Sequence, residues 1–201
     1  MSQIFCLIGK SASGKDTLYT QILMNTERRL VPIIPYTTRP KRMNERDGID
    51  YHFITKTQMD YYESNHQIIE KREYHTVNGI WYYFTLNFEM CNNTDYILIT
   101  TLEGVYSLIN FFGEEVVQVI YLFLDDKVRL LRCIERESKQ IAPNYNEVCR
   151  RFLADEEDFA DSKLKKIKNI HYINTIYSLS ECLAEWNRVY KQVKGRKNEI
   201  R

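Results

Sequence analysis

The feature that most constrains this chain is a glycine-bounded loop that follows a short apolar run. The run is Ile4–Ile8, and residues 9–17 read Gly-Lys-Ser-Ala-Ser-Gly-Lys-Asp-Thr. Gly9 and Gly14 can adopt backbone angles that other residues avoid, so the amide N–H groups between them can turn inward around an anion. Lys15 adds a positive charge, and a helix beginning there would point the positive end of its dipole at the same anion. The pattern predicts a phosphate-binding loop between a buried strand and a helix; the alternative is a turn that only reverses the chain.

The loop has the spacing of the Walker A motif, in which a glycine, four further residues and Gly-Lys are followed by Ser or Thr. This chain has Asp16 at that place. The usual hydroxyl binds the Mg²⁺ that accompanies a nucleoside triphosphate, and a carboxylate is also a hard oxygen ligand. We therefore expect Asp16 to be the metal ligand and Thr17 to lie near the α-phosphate. The predicted cofactor-binding residues are Gly9, Lys10, Ser11, Ala12, Ser13, Gly14, Lys15, Asp16 and Thr17.

Length and composition indicate one ordinary globular domain. The chain has 201 residues, with 44% hydrophobic and 27% charged residues and a formal net charge of +1. So small a charge gives little support for nucleic-acid binding. The longest apolar run, 116–124, is far too short to span a membrane. No cleavable leader pattern is visible, so a cytoplasmic location without a membrane partner is expected. The oligomeric state cannot be predicted.

The cysteines and histidines do not form a recognisable metal site. The chain has five cysteines without a Cys-x-x-Cys pair, and its four histidines have no zinc-ligand spacing. We expect reduced thiols and no zinc.

Apolar patterns alternate along the chain between strand and helix periods. Strands are predicted over 4–8, 31–34, 68–73, 79–86, 96–100, 116–124 and 170–174, and helices over 17–26, 57–64, up to 112, from 125, over 147–168 and over 178–193. In the helix that follows 125, we expect Val128, Leu130, Leu131 and Ile134 to face inward. A polar stretch over 137–146 has the composition of a loop or lid. The alternation predicts a mainly parallel sheet covered by helices on both faces.

A second group of donors follows the predicted edge strand. Arg39, Lys41 and Arg42 accompany two threonines, and Tyr51 adds a hydroxyl. These side chains could bind a second phosphate, separate from the one on the loop. The alternative is a solvated basic hairpin. The lysines within 163–168 lie at the end of a predicted helix and indicate a solvated helix end.

Taken together, these patches resemble the guanylate kinase family of nucleoside monophosphate kinases. The loop resembles that family's loop, and further matches are Thr37, Thr38, Arg39, Arg42, Glu45, Gly48, Asp50, Tyr51, Phe53, Arg132, Arg136, Arg151, Ala154 and 172–174. The resemblance covers nearly the whole chain and implies an α/β fold of the P-loop NTPase type. It implies a single domain over 1–201, with a core of 1–34, 91–132 and 151–201, a small mixed α+β NMP-binding insertion near 35–90 and a lid near 133–150.

The resemblance also implies an acceptor site. Its phosphate ligands would be Arg39, Arg42, Tyr51 and Tyr82, although Tyr83 with Thr85 is a competing register, because the family has Tyr-Gly-Thr or Tyr-Gly-Ser where this chain has Tyr-Tyr-Phe-Thr. Glu70 matches the family's guanine-reading glutamate, whose two oxygens suit the adjacent N–H groups of guanine. Pro35 and Thr101 replace a serine and an aspartate of the family. The predicted substrate-binding residues are Thr37, Arg39, Arg42, Tyr51, Glu70, Tyr82, Thr85 and Thr101.

The activity that the resemblance implies is phosphoryl transfer from ATP, with Mg²⁺, to GMP or dGMP. Lys15, Arg39, Arg136 and Arg151 are the predicted catalytic residues, since they would offset the repulsion between two polyanions. One alternative is a kinase of another phosphorylated acceptor, either a different nucleoside monophosphate or a sugar phosphate. Another is a guanylate-kinase-like binding module that has lost catalysis.

Overall fold

A computed structural model describes residues 2–24, 30–76 and 79–195. Within them the strands are β1 (Ile4–Ile8), β2 (Leu30–Pro32), β3 (Tyr36–Thr37), β4 (His52–Phe53), β5 (Ile68–Thr76), β6 (Gly79–Leu86), β7 (Asp95–Ile99), β8 (Val117–Phe123) and β9 (Ile170–Asn174). The helices are α1 (Lys15–Met24), α2 (Lys56–Ser64), α3 (Leu102–Phe112), α4 (Asp126–Ser138), α5 (Tyr145–Asp158), α6 (Asp161–Leu164) and α7 (Leu179–Gly195). The last two residues of the first predicted helix, 25 and 26, lie outside the described residues.

The larger sheet has five parallel strands in the order β2-β7-β1-β8-β9. This confirms the predicted α/β class and the parallel sheet. β1 lies in the middle, and all five of its residues are buried. The loop after β1 therefore leaves the sheet at the carboxyl ends of the central strands, where open parallel sheets bind their ligands.

Helices cover both faces of this sheet because the side chains of β1 alternate between two hydrophobic clusters. Cys6 packs in one cluster with Val105 of α3. Phe5 packs in the other with Leu18 of α1 and Trp186 of α7. The rings of Phe5 and Trp186 meet edge to face with centroids 5.1 Å apart. This packing fixes α1, and with it the end of the phosphate loop, against the sheet.

The smaller sheet has four strands in the order β4-β3-β6-β5 and is built from residues 36–86. β3 pairs in parallel with β4, whereas β6 pairs antiparallel with β3 and β5. One face packs against α2, where the rings of Tyr36 and Phe84 stack and Tyr62 meets Tyr36 edge to face. The other face carries Glu70 opposite Thr85, because these residues are paired in the register of β5 and β6.

Helix α4 presents a different face to the interior from the one predicted. Leu131 and Ile134 are 57% and 41% exposed, whereas Arg129 and Cys133 are buried. The reason is electrostatic, since α5 packs against α4 with two carboxylates that pair with Arg129. The prediction of an inward-facing Leu131 and Ile134 is therefore wrong.

The single long helix predicted over 147–168 is also wrong. α5 ends at Asp158, and Phe159 turns into the core, where it is 8% exposed and stacks on Tyr121. Ala160 is extended before the short helix α6 begins. Among the described residues, none of the helices combines the length and the apolar character that crossing a membrane requires.

Candidate functional site: a phosphate loop facing a donor-rich sheet

The phosphate loop has the backbone conformation that its glycines predict. Gly9, Ala12 and Gly14 have φ angles of 153°, 61° and 88°. A Cβ atom at Gly9 would lie 2.4 Å from the carbonyl oxygen of Leu122, so no side chain fits there. α1 begins at Lys15, immediately after the loop. The loop and the positive end of α1 thus form one cradle for an anion.

Lys15 folds back over this loop. Its Nζ donates to the carbonyl oxygens of Gly9 at 2.5 Å and Lys10 at 3.0 Å. Burial has the largest effect on the pKa of its ammonium group and lowers it. The carboxylates of Asp16 and Asp155 raise this pKa, and the guanidinium of Arg136 lowers it further. A phosphate group on the loop would add negative charge and favour the ammonium form.

Carboxylates of α5 reach the loop from the side. The backbone N–H of Ser11 donates to Oδ2 of Asp155 at 2.7 Å, and Lys10 Nζ lies 2.5 Å from Glu156 Oε2. The guanidinium of Arg129, fully buried, joins the same carboxylates at 3.1 Å and 2.5 Å. Because the Ser11 N–H donates to an anionic oxygen here, this side of the loop also suits the oxygens of a phosphate group. The sequence analysis missed Arg129, although it lies on one helical stripe with Asp126 and Cys133.

Two of the predicted catalytic arginines line one cavity beside the loop. Arg136 of α4 and Arg151 of α5 line a cavity of about 140 Å³ together with Ser11. Arg151 Nε donates to Glu147 at 2.6 Å, and Arg150 binds the same carboxylate at 2.7 Å. These hydrogen bonds, first that of Arg150 and then that of Arg151, lower the pKa of Glu147 to about 2. The cavity is thus bordered by two cations within reach of the loop.

On the smaller sheet, Arg39 is held from several sides. It is 4% exposed, and its Nε donates to the hydroxyl of Tyr83 at 2.9 Å. Its terminal nitrogens donate to the Pro40 carbonyl and to both oxygens of Glu45, which lowers the pKa of that carboxyl. Within the described residues, these hydrogen bonds use four of the five N–H donors of the guanidinium. The ring of Tyr51 lies against that of Tyr83, with centroids 5.6 Å apart.

Glu70 of β5 is buried on the face of the smaller sheet that also carries Thr85 and Tyr83. Its carboxylate accepts from the hydroxyl of Thr85 at 2.9 Å and from Nε and Nη2 of Arg72 at 3.0 Å and 3.3 Å. Glu70 is 5% exposed, and Thr85 is 2% exposed. The sequence analysis did not single out Arg72, although its place two residues after Glu70 puts both side chains on one face of a strand.

Asp16 and Thr17 lie exposed in the first turn of α1. The Asp16 carboxylate raises the pKa of the Tyr51 hydroxyl, an influence smaller than those of burial and of Tyr83. Asp16 therefore lies within electrostatic range of the smaller sheet. No group of three or more His, Cys, Asp or Glu residues that could hold a metal occurs in 2–24, 30–76 and 79–195. A metal at Asp16 would therefore need oxygen ligands from a bound phosphate group in addition to those from the protein.

Several known proteins are similar to this chain in sequence or in fold. The family model described as guanylate kinase matches residues 1–82. A guanylate kinase from Schizosaccharomyces pombe is 36% identical over 64 residues. The crystal structure of guanylate kinase from Anaplasma phagocytophilum matches the fold with a TM-score of 0.61 at 18% identity, over 97% of this chain and 86% of that chain. The chain is therefore similar to guanylate kinases in the sequence of residues 1–82 and in its fold.

The sequence matches to these relatives are partial. The segment shared with the Schizosaccharomyces pombe guanylate kinase is 32% of this chain and 32% of that protein. MAGUK p55 subfamily member 7 from Danio rerio is 32% identical over 72 residues, which are 36% of this chain and 12% of that protein. The chain therefore spans well under two thirds of the curated relatives that it matches.

The structure revises one predicted acceptor contact of the guanylate kinase pattern. Tyr82 lies on the opposite face of β6 from Glu70, where Lys56 and Lys71 approach its ring at 5.0 Å and 5.6 Å. Tyr83 takes its place beside Arg39. The reason is the alternation of side chains along a strand, which puts Tyr83 and Thr85 together and Tyr82 behind them.

Of three other predicted contacts, Thr37 and Thr101 have side chains with structural roles, whereas the side chain of Arg42 is exposed. Thr37 is fully buried, donates to the Tyr82 carbonyl and accepts from the Arg39 N–H, so it is not available to a substrate. Thr101 caps α3 by accepting from the Gly104 N–H at 3.2 Å and keeps a hydroxyl proton to donate. Arg42 is exposed, and its backbone N–H donates to Glu45 at 2.8 Å.

Proposed function

We propose that the chain is a nucleoside monophosphate kinase that transfers a phosphoryl group from ATP to GMP or dGMP. The observation that carries the proposal is the presence of two sets of phosphate donors, one on the loop with Lys15 beside the larger sheet and one formed by Arg39, Tyr51 and Tyr83 beside the smaller sheet. The influence of Asp16 on Tyr51 means that the two sets lie within electrostatic range of each other. Transfer between two phosphates needs two such sites across one cleft.

The proposed role of the core residues is to hold and neutralise the donor phosphates. The backbone of 9–14 and the start of α1 would bind them, and Lys15 would exchange its loop carbonyls for a phosphate oxygen. Arg136 and Arg151 border the adjoining cavity and would stabilise the charge that develops on the transferring group. The acceptor phosphate is already an anion at neutral pH, so a general base is not required.

Mg²⁺ fits the site through Asp16. Its carboxylate makes no hydrogen bond within the described part of the chain, and Mg²⁺ is commonly bound by one or two carboxylates together with phosphate oxygens and waters. The chemistry that a bound Mg²⁺ would supply is neutralisation of the negative charge on the donor phosphates. Thr101, in contrast, offers only a hydroxyl at the end of β7.

On the acceptor side, we propose that Arg39, Arg42, Tyr51 and Tyr83 bind the phosphate and that Glu70 reads the base. Guanine presents two adjacent donors, a ring N–H and an exocyclic amine, and one carboxylate can accept from both. We further propose that nucleotides are the binding partners of this chain and that it acts in purine nucleotide metabolism in the cytoplasm.

A kinase of a different phosphorylated acceptor is the second candidate. The observations that favour it are the contacts of Glu70 with Arg72 and Thr85, together with Pro35 and Thr101 at positions where guanylate kinases carry Ser and Asp. These residues change the groups available to the base, whereas the phosphate donors remain.

The proposal is tested by coupled measurement of ADP release with ATP, Mg²⁺ and each of GMP, dGMP, IMP, AMP, CMP, UMP and dTMP. We expect turnover with GMP and dGMP. Lys15→Ala should lower it by about 100-fold or more without a comparable loss of stability. Lys168→Ala, an exposed lysine on the opposite end of the core that pairs with Glu114, is the matched control and should retain full turnover.

Two results would contradict the proposal. Turnover restricted to a different acceptor would transfer the function to the second candidate. Binding of ATP without turnover of any acceptor would favour a binding module.

A further inference from the structure

Glu70, which we propose to recognise the base, already forms an ion pair with Arg72 of the same strand. Arg72 has a side chain that is only 15% exposed, and its Nε and Nη2 donate to the two oxygens of Glu70. The hydroxyl of Thr85 donates to one of the same oxygens. Nη1 of Arg72 donates to no acceptor within 2–24, 30–76 and 79–195. The Glu70 carboxylate is thus already engaged before any nucleotide arrives.

Counting acceptor positions shows a conflict with guanine. A carboxylate offers about four lone-pair positions, and three of those on Glu70 are occupied. Guanine needs two, one for its ring N–H and one for its amine. A guanine base can therefore bind Glu70 fully only if Arg72 or Thr85 releases at least one of these three bonds.

A released Arg72 needs another anion, because a buried guanidinium without a partner is strongly unfavourable. It lies beside the proposed phosphate donors. Arg72 is opposite Tyr83 in the register of β5 and β6, and Tyr83 accepts from Arg39. Tyr51 lies within electrostatic range of Arg72. The acceptor phosphate would be bound at this group of residues.

We propose that Arg72 is a specificity-determining residue that couples base recognition to phosphate binding. Guanine displaces Arg72 from Glu70, and the released guanidinium then pairs with the acceptor phosphate. This inference rests on the proposed function, since it assumes GMP as the acceptor. A base without two adjacent donors leaves Arg72 on Glu70, and a nucleoside without a phosphate gives the displaced arginine no partner.

The test compares the binding of guanosine and GMP by isothermal titration calorimetry to the wild type, Arg72→Ala and Lys71→Ala. In the wild type, guanosine should bind far more weakly than GMP. In Arg72→Ala, guanosine should bind more tightly than in the wild type, and the ratio of the two dissociation constants should fall at least tenfold. Lys71→Ala, on the opposite face of β5, should leave the ratio unchanged. Arg72→Gln keeps a donor to Glu70 without the charge and should also reduce the ratio. This variant replaces Arg72→Ala in the test if Arg72→Ala does not fold.

The outcomes separate this inference from the proposed function. If the wild type does not bind GMP, the proposed acceptor is wrong and the coupling is wrong with it. If GMP binds and both variants at Arg72 weaken guanosine and GMP by the same factor, Arg72 is only structural and the inference alone is overturned.

Discussion

At the scale of single residues, the phosphate loop is fitted to the strand beside it. Gly9 has a φ angle of 153°, and a Cβ atom there would lie 2.4 Å from the Leu122 carbonyl oxygen and 2.8 Å from Ser13 Oγ. The backbone of β8 cannot move away without disturbing its pairing with β1 and β9. The glycine is therefore required by both conformation and space.

We expect Gly9→Ala to destabilise the protein by about 3 kcal/mol, since overpacking and an unfavourable φ angle act together. The free energy of unfolding in urea would measure this. Gly195→Ala is the matched control, because a Cβ atom at Gly195 would meet nothing within 4 Å and that glycine ends α7. Equal stability of the two variants would contradict the fitted loop.

Asp16 is the residue at which the loop departs from its motif, and its charge is predicted to bind Mg²⁺. Asp16→Lys should raise the Mg²⁺ concentration needed for half-maximal ADP release by roughly tenfold or more, which corresponds to about 1.4 kcal/mol. Asp16→Ser restores the usual hydroxyl and should change that Mg²⁺ concentration less. Glu185→Gln, an exposed carboxylate that pairs with Arg188 on α7, is the control. A near-normal Mg²⁺ dependence of Asp16→Lys would remove Asp16 from the metal site.

Residue positions differ in how far the sequence could predict them. Gly9 and Lys15 follow from a local motif, since the loop's geometry depends on its own backbone. Arg72 depends on the pairing of β5 with β6 and on its contact with Glu70 across two residues of one strand. The choice between Tyr82 and Tyr83 likewise depends on which face of β6 meets α2. These are contacts between elements, which a motif does not contain.

At the scale of elements, α4 and α5 are joined by a buried cation. Arg129 is fully buried, its guanidinium lies 3.8 Å from the ring centre of Phe152, and it pairs with Asp126, Asp155 and Glu156. Asp155 also accepts the Ser11 N–H, so the pair of helices is connected to the phosphate loop. The apolar spacing of α4 misled the sequence analysis because an arginine paired with carboxylates occupies the buried stripe.

We expect Arg129→Met to destabilise the protein by about 3 kcal/mol, because the replacement leaves the Asp155 carboxylate, which is only 15% exposed, without its cation. Urea unfolding would measure the change. Arg188→Met removes an exposed arginine that pairs with Glu185 and should cost less than about 1 kcal/mol. If Arg129→Met were as stable as Arg188→Met, Arg129 would not join the two helices.

At the scale of the whole molecule, the sequence predicted the larger sheet well. Its strands are continuous apolar runs separated by amphipathic helices, a pattern that admits few arrangements. The break between α5 and α6 escaped prediction, since Phe159 turns inward only to meet Tyr121 of the sheet. The division into core, insertion and lid stays a prediction.

We propose that two nucleotides meet between the phosphate loop and the smaller sheet. The most direct measurement is the calorimetric affinity of an analogue in which adenosine and guanosine are joined by five phosphates, compared with ATP and with GMP. A ligand that fills both sites should bind at least about 100-fold more tightly than ATP, and Lys15→Ala should abolish that gain. An analogue that binds no more tightly than ATP would contradict a shared cleft.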